Sequence, residues 1–569
     1  MLTVAERRFV PADFTVSTWS DLEPYYRQLD SRTITSLCDL ESWLLQWSEL
    51  EAVVAEEACW RQIRMTRDTT DPGLEAAFND YCLNIEPHIK PYTNRLQQKL
   101  ADTPFAAGLD PERYAPYLRN TTSALKLYRE ANVPLQADLN VLGQQYGNIA
   151  GNMTVTIDDE EYTLQQALKF LEQPGRELRR EVFIRINERR LQDKEQLDNL
   201  FDELLQKRHQ VALNAGFDNY RDYKFAELGR FDYTPEDCAA FHEAIKTHIL
   251  PLQERLLRLR CRKLGLDTLT PYDLNAVAPG ETPLQPFKDG AELLGKSITV
   301  FDRLRPYYGD CLRTMQAQDR LDLDSRKGKA PGGYNCPLPE TGVPFIFMNA
   351  AATVDDVITM MHEGGHAIHS FLAHPLPLTS FKEYPMEMAE LASMSMELFS
   401  MDHWDVFFPA AEELQRARQE ELERVIDVLP WIATIDKFQH WLYTHPGHTT
   451  GQRTEAWRAI HTEFTAPSID WSGLEAYRDN LWQKQLHLFE VPFYYIEYGI
   501  AQLGAVAMWR QYRQDGEKAL DHYEEALSLG YTRNLPRLYE AAGIRFAFDD
   551  GYLAELKAFL EKELEAAGA

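Results

Sequence analysis

The sequence is poor in cysteine and in positive charge. Seven cysteines are scattered over 569 residues without C-x-x-C spacing, which argues against a disulfide framework and fits a reducing compartment. Lys and Arg together number 59 against 88 Asp and Glu, giving a net charge of -29. Because so acidic a surface repels phosphate backbones, nucleic acid is not an expected partner.

The sequence also lacks long apolar runs. The longest, Val343–Val354 and Gly499–Trp509, fall short of the about 20 residues that span a bilayer. The N-terminal segment has neither an apolar core nor a small-residue cleavage site, so no secretory signal is expected. These features predict a cytoplasmic protein that has no membrane partner.

Apolar residues recur at three- and four-residue spacing through most of the chain, which predicts a mainly α fold. The longest such segments are Leu37–Met65, Glu75–Lys99, Leu164–Asn214, Pro235–Gly265 and Ala411–Thr444. Strand-like patterns are few: a hairpin within Met153–Leu164 and a short run, Gly342–Asn349. Since 569 residues are too many for one compact core, we expect an N-terminal helical domain at 1–185 and a second domain at 186–569.

One segment in the second domain reads as a capped amphipathic helix. Thr353 is placed to act as its N-cap and Asp356 as the third-residue partner of a capping box, while Pro375 and Pro377 bound its far end. Its apolar stripe consists of Val354, Val357, Ile358, Met361, Gly365, Ile368 and Leu372. This stripe predicts that one face of the helix packs in the core.

The same helix carries an H-E-x-x-H motif at His362, Glu363 and His366. Residues four apart lie one turn apart and about 40° around a helix, so both imidazoles can reach one ion at about 2.0–2.1 Å. Glu363 points about 100° away from His362, which suits a base that deprotonates water beside the ion. The alternative is a surface helix that carries two histidines, and the cap, the core stripe and the glycine pair at 364 and 365 favour the metal site.

A third ligand is expected downstream. Position 372, where H-E-x-x-H-x-x-G-x-x-H would have histidine, is leucine, which excludes the metzincin pattern. A second predicted helix starts at Pro385 and carries Glu387, Glu390 and Glu397 on an otherwise apolar surface. Because buried carboxylates must be paired or metal-bound, any of the three could complete a His2Glu site, and the residues alone leave the choice open.

The segment His362–His369 resembles the H-E-x-G-H-x-x-H metal helix of the oligoendopeptidase F and thimet oligopeptidase family. Glu390, Ser393 and Glu397 match the E-x-x-S…E pattern of that family, whose first glutamate is the third metal ligand. The resemblance, which covers residues 190–569, therefore implies that Glu390 is the ligand. It also implies a two-lobed helical shell around a deep substrate channel, with a small β element beside the metal helix.

A second match begins at His487 and continues through Tyr494, Tyr495 and Tyr498. In the family a histidine followed by a tyrosine-rich run stabilises the oxyanion and holds the substrate. The resemblance implies that His487 and Tyr498 are catalytic and that Tyr494 and Tyr495 bind substrate; the alternative is a core aromatic cluster. The loop at Gly333 and Tyr334, together with the strand that follows it, also resembles a family element. In the family this element pairs with the extended backbone of the substrate.

Together these patterns predict a zinc-dependent endopeptidase with one Zn²⁺ per chain and short oligopeptides as partners. Glu363 is the expected base, and His362, His366 and Glu390 are the expected ligands. One alternative is an exopeptidase that releases C-terminal dipeptides. Another is a non-catalytic helical peptide-binding protein with a relic metal site.

Overall fold

The computed structural model describes residues 7–326, 328–330 and 332–568 and is mainly α-helical. The prediction of a mainly α fold is confirmed. In chain order the first helices are α1 (Trp19–Ser31), α2 (Leu37–Arg67), α3 (Pro72–Asp80), α4 (Glu86–Asp102), α5 (Ala115–Leu127), α6 (Asn132–Gly151), α7 (Leu164–Leu168), α8 (Arg176–Gln192), α9 (Lys194–Ala215), α10 (Tyr220–Glu227), α11 (Pro235–Ala244), α12 (Leu250–Leu264) and α13 (Gly290–Leu304). The remaining helices are α14 (Pro306–Ala317), α15 (Val354–Ala373), α16 (Thr379–Lys382), α17 (Met386–Ser400), α18 (Ala411–Thr444), α19 (Thr450–Glu463), α20 (Glu475–Arg478), α21 (Leu486–Glu490), α22 (Tyr495–Tyr512), α23 (Gly516–Ser528), α24 (Leu535–Ala541) and α25 (Asp550–Ala566).

The chain forms two compact units, each assembled from three separate segments. The first unit comprises Met1–Lys126, Leu284–Ala417 and Gly504–Phe546. The second comprises Leu127–Pro283, Arg418–Leu503 and Ala547–Ala569. The expected domain division between residues 185 and 186 stays a prediction. No helix in the described part of the chain is long and apolar enough to cross a bilayer.

The predicted long helices are broken where the backbone demands it. The segment 164–214, which has one continuous helical pattern, forms three helices, α7, α8 and α9. Pro174-Gly175 precedes α8, and Asp193 separates α8 from α9. The pattern over 75–99 is α3 and α4 joined by a π-helical turn at Tyr81–Ile85. The α18 pattern over Ala411–Thr444 agrees with the observed helix.

A two-stranded hairpin in the second unit pairs β1 (Thr154–Ile157) with antiparallel β2 (Glu160–Thr163). Asp158 and Asp159 form its turn with φ of 51° and 65°, the left-handed conformation that a two-residue type I′ turn requires. Aspartate tolerates this conformation better than most residues. The hairpin predicted from Met153–Leu164 is confirmed.

The first unit contains a three-stranded sheet of β3 (Leu321–Asp324), β4 (Tyr334–Cys336) and β5 (Phe345–Ala350) in the order β3-β5-β4. The central strand β5 is parallel to β3 and antiparallel to β4. It overlaps the run predicted as a strand, Gly342–Asn349, and extends one residue beyond it, ending four residues before α15 begins. Because β4 and β5 also contact α15, the sheet fixes the position of that helix.

Helix α17 is buried on all sides, since every residue from Glu387 to Ser400 is buried. A helix without a solvated face belongs to the interior of a large unit. Its main neighbour is α15. The carboxylates of Glu387, Glu390 and Glu397 are therefore held inside the protein, where an ionised group needs a hydrogen bond, a counter-charge or a metal ion.

Candidate metal centre

The local sequence fixes where α15 begins. The Thr353 hydroxyl accepts from the backbone N–H of Asp356 at 3.2 Å, and the Asp356 carboxylate accepts from the backbone N–H groups of Thr353 and Ala351, each at 2.8 Å. This is the predicted capping box. Asp356 therefore acts as a cap, and it does not orient a histidine.

Three side chains converge where α15 faces α17. The Nε2 atom of His362 lies 3.3 Å from Glu390 Oε2, and that of His366 lies 3.7 Å from the same oxygen. The two imidazole rings are nearly perpendicular, with centroids 4.8 Å apart. One ligand atom from each residue lies within 4.8 Å of the other two, so this donor set fits a single divalent ion with further positions for water or substrate. Of the three candidate carboxylates, Glu390 belongs to this group.

The other carboxylates of α17 lie apart from the three ligand atoms. Glu397 Oε1 lies 2.6 Å from Nδ1 of His362, on the side of the ring opposite Nε2. Such a hydrogen bond fixes the ring orientation and leaves Nε2 to bind a metal. On Glu390, the Oε2 atom accepts from the Ser393 hydroxyl at 3.0 Å. The residues of the E-x-x-S…E pattern thus each touch a group at the candidate centre.

Glu363 is buried, and its Oε2 atom has no hydrogen-bond partner among the described residues. Burial raises the pKa of its carboxyl to about 7, and the charges of Glu390 and Glu397 act in the same direction. A carboxyl with a pKa near neutrality can both take and return a proton. Its place in sequence beside His362, with an unengaged oxygen, suits a general base for water.

The glycine pair in α15 permits close packing within the chain. A Cβ at Gly365 would lie 2.7 Å from both the backbone oxygen of Ala392 and the Cα of Ser393, so glycine lets α17 approach the metal helix. A Cβ at Gly364 would clash with the ring of Phe301 on α13. The space that a bulky residue at position 364 would occupy is therefore filled by a phenylalanine from another helix.

His369, the last histidine of the motif, is fully buried and does not belong to the group of three possible ligands. Its ring stacks on Tyr384 with a centroid distance of 3.4 Å. Burial lowers its pKa well below the usual value, so it is a neutral packing residue.

The second unit brings His487, Tyr494, Tyr495 and Tyr498 into one cluster. The His487 ring centroid lies 4.9 Å from that of Tyr495 and 5.9 Å from those of Tyr494 and Tyr498. Tyr498 also lies 5.1 Å from Tyr494 and 5.5 Å from Tyr495. The histidine and three tyrosines that match the family pattern in sequence thus also lie together in space, as one imidazole and three phenols.

A short hydrogen-bond chain determines which nitrogen of His487 carries the proton. The Trp431 indole N–H can only donate, and it lies 3.1 Å from Gln485 Oε1. This assigns the amide, so Gln485 Nε2 donates to Nδ1 of His487 at 2.8 Å. The proton of a neutral His487 ring is therefore on Nε2, which makes that atom a hydrogen-bond donor.

Tyr334 and Gly333 lie at the edge strand β4 of the three-stranded sheet. The Tyr334 ring stacks on Phe347 at 4.8 Å, and its hydroxyl lies 2.6 Å from that of Thr66. A Cβ at Gly333 would lie 3.3 Å from the backbone oxygen of Phe347. The side chain of Tyr334 thus packs between β5 and α2.

Family models match most of the chain. Peptidase family M3 matches residues 169–558, and the Peptidase M3 N-terminal domain matches residues 9–128. The chain belongs to peptidase family M3. The resemblance inferred from the H-E-x-G-H-x-x-H and E-x-x-S…E patterns is thereby confirmed.

Individual relatives agree with this assignment. Oligopeptidase PepF of Bacillus subtilis is 23% identical over 415 residues, which are 71% of this chain and 59% of that protein. An oligoendopeptidase F homolog of Lactococcus lactis is 28% identical over 205 residues, which are 36% of this chain and 33% of that protein. The alignments thus span about one third to three fifths of these relatives.

Solved structures match over the whole chain. The structure of PZ peptidase A with an inhibitor has a TM-score of 0.91 at 26% identity and covers 99% of both chains. A crystal structure of an oligoendopeptidase F has a TM-score of 0.90 at 28% identity, covering 100% of this chain and 99% of the other. The fold is therefore that of known peptidase structures.

A second group of possible metal ligands lies in the second unit of this M3 peptidase, at Cys238, Asp436 and His440. Asp436 lies between two histidines, with Oδ2 at 2.8 Å from His242 Nε2 and 3.3 Å from His440 Nε2. The neighbouring histidines hold the pKa of the Asp436 carboxyl well below its usual value despite burial. Pairing with histidine thus accounts for Oδ2 of this carboxylate, whereas Oδ1 is buried without a hydrogen-bond partner among the described residues.

Sequence reasoning missed Trp431, Gln485 and the residues that hold the turn before the tyrosine run. Phe493 has a φ of 68°, in the left-handed region. Its N–H donates to Gln439 Oε1 at 2.5 Å, and its carbonyl accepts from buried Arg230, which also pairs with Glu497 at 2.6 Å. Strained backbone persists only where its surroundings fix it. No sequence signal indicates this anchor, because the burial of Arg230 results from packing between elements that are distant in sequence.

Proposed function

We propose that this chain is a zinc-dependent endopeptidase that hydrolyses internal bonds of short oligopeptides. The observation that carries the proposal is the convergence of His362, His366 and Glu390, together with a carboxyl oxygen of Glu363, Oε2, that has no hydrogen-bond partner among the described residues. Two imidazoles and one carboxylate are the ligand set of a catalytic zinc site with an open position. Membership of peptidase family M3 supports peptide substrates.

In the proposed reaction, His362, His366 and Glu390 would hold the zinc ion, which would lower the pKa of a bound water and polarise the scissile carbonyl. Glu363 takes a proton from the attacking water and later gives it to the leaving amine. The new bond joins water oxygen to the carbonyl carbon, and the bond that breaks joins that carbon to the amide nitrogen. Glu397 keeps the His362 ring in place while Ser393 holds Glu390.

We assign stabilisation of the oxyanion to His487 and Tyr498, following the family resemblance. The hydrogen-bond chain from Trp431 supports this for His487, because it makes Nε2 a donor. A phenol O–H from Tyr498 is a second donor of the right kind, and such donors each contribute on the order of 10²–10³ in rate. We also propose that Tyr494, Tyr495 and the backbone of Gly333 and Tyr334 contact the substrate.

A quenched-peptide library, assayed with and without a metal chelator, tests the proposal. We expect cleavage that the chelator abolishes and that added zinc restores. Peptides blocked at both ends separate the alternatives, because an endopeptidase cleaves them and a dipeptidyl carboxypeptidase does not. Mass analysis that finds only C-terminal dipeptides from free peptides would establish the exopeptidase, and tight binding without turnover in zinc would establish the relic site.

A further inference from the structure

A cavity of about 470 Å³ lies within the second unit. This volume is in the range of small-molecule and peptide-end sites. Its walls are largely apolar and include Phe183 and Ile186 of α8 and Pro430 of α18. Trp431 and Gln485, the two residues that hold His487, also line it. The cavity therefore borders the imidazole and tyrosine cluster of the same unit.

Two cationic side chains line this cavity, Arg190 from α8 and Lys484. In the described part of the chain neither of them forms an ion pair with a carboxylate. The Lys484 ammonium lies over the ring of Trp431 at 4.7 Å from its centroid. Lys484 is exposed to solvent, as expected of a side chain that lines an open cavity.

Both cations face the same partly open cavity, in which Arg190 is half-buried and Lys484 is exposed. Burial lowers the pKa of Arg190. Burial, and then the charge of Arg190, lower the pKa of Lys484 to about 8. The like charges of Arg190 and Lys484 disfavour each other, and an anion that binds between them would be favoured by both.

One carboxylate, Asp427 of α18, also lines the cavity. It accepts from Gln253 Nε2 at 3.0 Å, and it is not within ion-pair distance of Arg190 or Lys484. Burial raises its pKa to about 6. The indole N–H of Trp471, which is buried without a hydrogen-bond partner among the described residues, adds a further donor to the lining. The cavity lining therefore contains more cationic and N–H donor groups than carboxylates.

We propose that this cavity binds the C-terminal carboxylate of the peptide substrate through Arg190 and Lys484, with the apolar walls taking the last side chains. The inference rests on the proposed peptidase function. A positive cavity is unusual in a chain whose net charge is -29, so the two cations select for a negative group locally. A carboxylate forms strong charge-assisted hydrogen bonds with guanidinium and ammonium groups. Anchoring the end of the chain would favour short peptides and raise the KM of amidated ones without preventing their cleavage.

The experiment measures binding of matched peptides to the full-length Glu363→Gln protein loaded with zinc, by calorimetry. One pair differs only in a free acid or an amide at the C-terminus, and a second pair, amidated throughout, differs in an internal Glu or Gln. We expect the free acid to bind about tenfold more tightly than its amide, as a charge-assisted contact predicts. We expect no preference for internal Glu. A preference for internal Glu with none for the free acid would overturn the assignment to the C-terminus.

Arg190→Met and Lys484→Met, each placed in the same background, should lower the ratio of acid to amide affinity towards one. Lys263→Met removes an exposed lysine of the same unit and serves as the control for net charge. Asp427→Asn should preserve or increase the ratio, because it removes the one negative charge in the cavity. Circular dichroism of each variant reports folding. A ratio that stays at the parental value in both cation variants would disprove the inference.

Failure of the proposed function is distinguishable in this design. If the parental protein with Glu363 cleaves no peptide, the proposed function fails, and the acid-to-amide ratio still reports whether the cavity binds carboxylate. If the parental protein cleaves peptides but the free acid and the amide bind equally, only the cavity inference fails.

Discussion

The Nδ1 atom of His362 and the Oε1 atom of Glu397 lie 2.6 Å apart, which joins the metal helix α15 to the buried helix α17 by a charge-assisted hydrogen bond. Glu397 precedes the end of α17 by one turn, and Glu390 lies two turns before it on the same face. The two glutamates thus contact the same imidazole from opposite nitrogens. One helix therefore supplies both a candidate ligand and the group that orients another.

Glu397→Ala should weaken metal binding by about 10–100-fold, the usual effect of losing a partner that orients a ligand histidine. Glu397→Gln should weaken it less, because its amide oxygen can still accept from Nδ1. Competition with a chelator of known affinity measures both constants. Equal affinity in the parent and in Glu397→Ala would show that His362 needs no orienting partner.

Glu363→Gln should keep the metal and lose activity. The amide is nearly isosteric with the carboxyl but cannot take a proton, and loss of a general base costs about 10²–10⁴-fold. Metal content by elemental analysis and turnover of a quenched peptide are measured on the same preparation. Asp355→Asn, an exposed acidic residue in the first turn of the same helix, is the matched control and should keep the parental rate. Parental turnover by Glu363→Gln would mean that another group is the base.

Gly365→Ala should separate α15 from α17, since the new Cβ would lie 2.7 Å from the backbone oxygen of Ala392. The backbone of α17 cannot move aside as a flexible side chain can. We therefore expect Gly365→Ala to lower both the thermal stability and the metal affinity. Gly295→Ala is the control, because nothing lies within 4 Å of that Cβ and replacing a helix-interior glycine adds about 0.5–1 kcal/mol of stability. Normal metal affinity in Gly365→Ala would show that the two helices tolerate a wider spacing.

Much of the metal helix could be predicted because its information is local. The spacing of His362 and His366 and the Thr353–Asp356 capping pair lie within a few turns of one helix, where backbone geometry alone sets neighbours. The turn of the β1–β2 hairpin is local in the same sense. The periodicity over 164–214 does not show where the helices end, whereas the Pro174-Gly175 pair, which is also local, marks one of the breaks.

The choice among Glu387, Glu390 and Glu397 depends on how α17 is rotated against α15, which no pattern within α17 specifies. The family resemblance supplied Glu390, and the structure supplied the contact of Glu397 with His362. Tertiary pairs such as Trp431 and Gln485, 54 residues apart, leave no periodic signal at all. Contacts of this kind come from packing between elements, so they could not be derived from spacing.

Gln485→Leu should lower kcat while leaving the fold intact, because His487 would lose the donor that keeps its proton on Nε2. We expect a loss of about tenfold, less than the 10²–10³-fold of removing an oxyanion donor outright. Gln485→Glu offers Nδ1 an acceptor instead, so His487 should become cationic to higher pH and the pH profile should shift. If kcat and the pH profile are unchanged in both variants, either His487 takes no part in the reaction or Gln485 does not determine its protonation.

Acid should remove the stabilisation that Asp273 gives the second unit. Asp273 is fully buried and accepts from Arg176 at 2.9 Å, Arg179 at 2.8 Å and the Thr270 hydroxyl at 2.7 Å. Burial alone would raise its pKa, but these hydrogen bonds outweigh it and lower the pKa to about 2. Because the folded pKa lies below the unfolded one, the stabilisation is complete above about pH 4 and is lost as the pH falls towards 2.

Asp273→Asn should therefore cost at least about 2 kcal/mol in the free energy of unfolding at pH 7, and the difference from the parent should shrink between pH 4 and pH 2. Urea titrations followed by tryptophan fluorescence at pH 7, 4 and 3 measure the two proteins side by side. Subtracting the free energy of unfolding of the variant from that of the parent cancels the contribution of the other carboxylates, which titrate in both proteins. A difference that stays constant over this range would show that the Asp273 carboxylate is not the group whose protonation destabilises the unit.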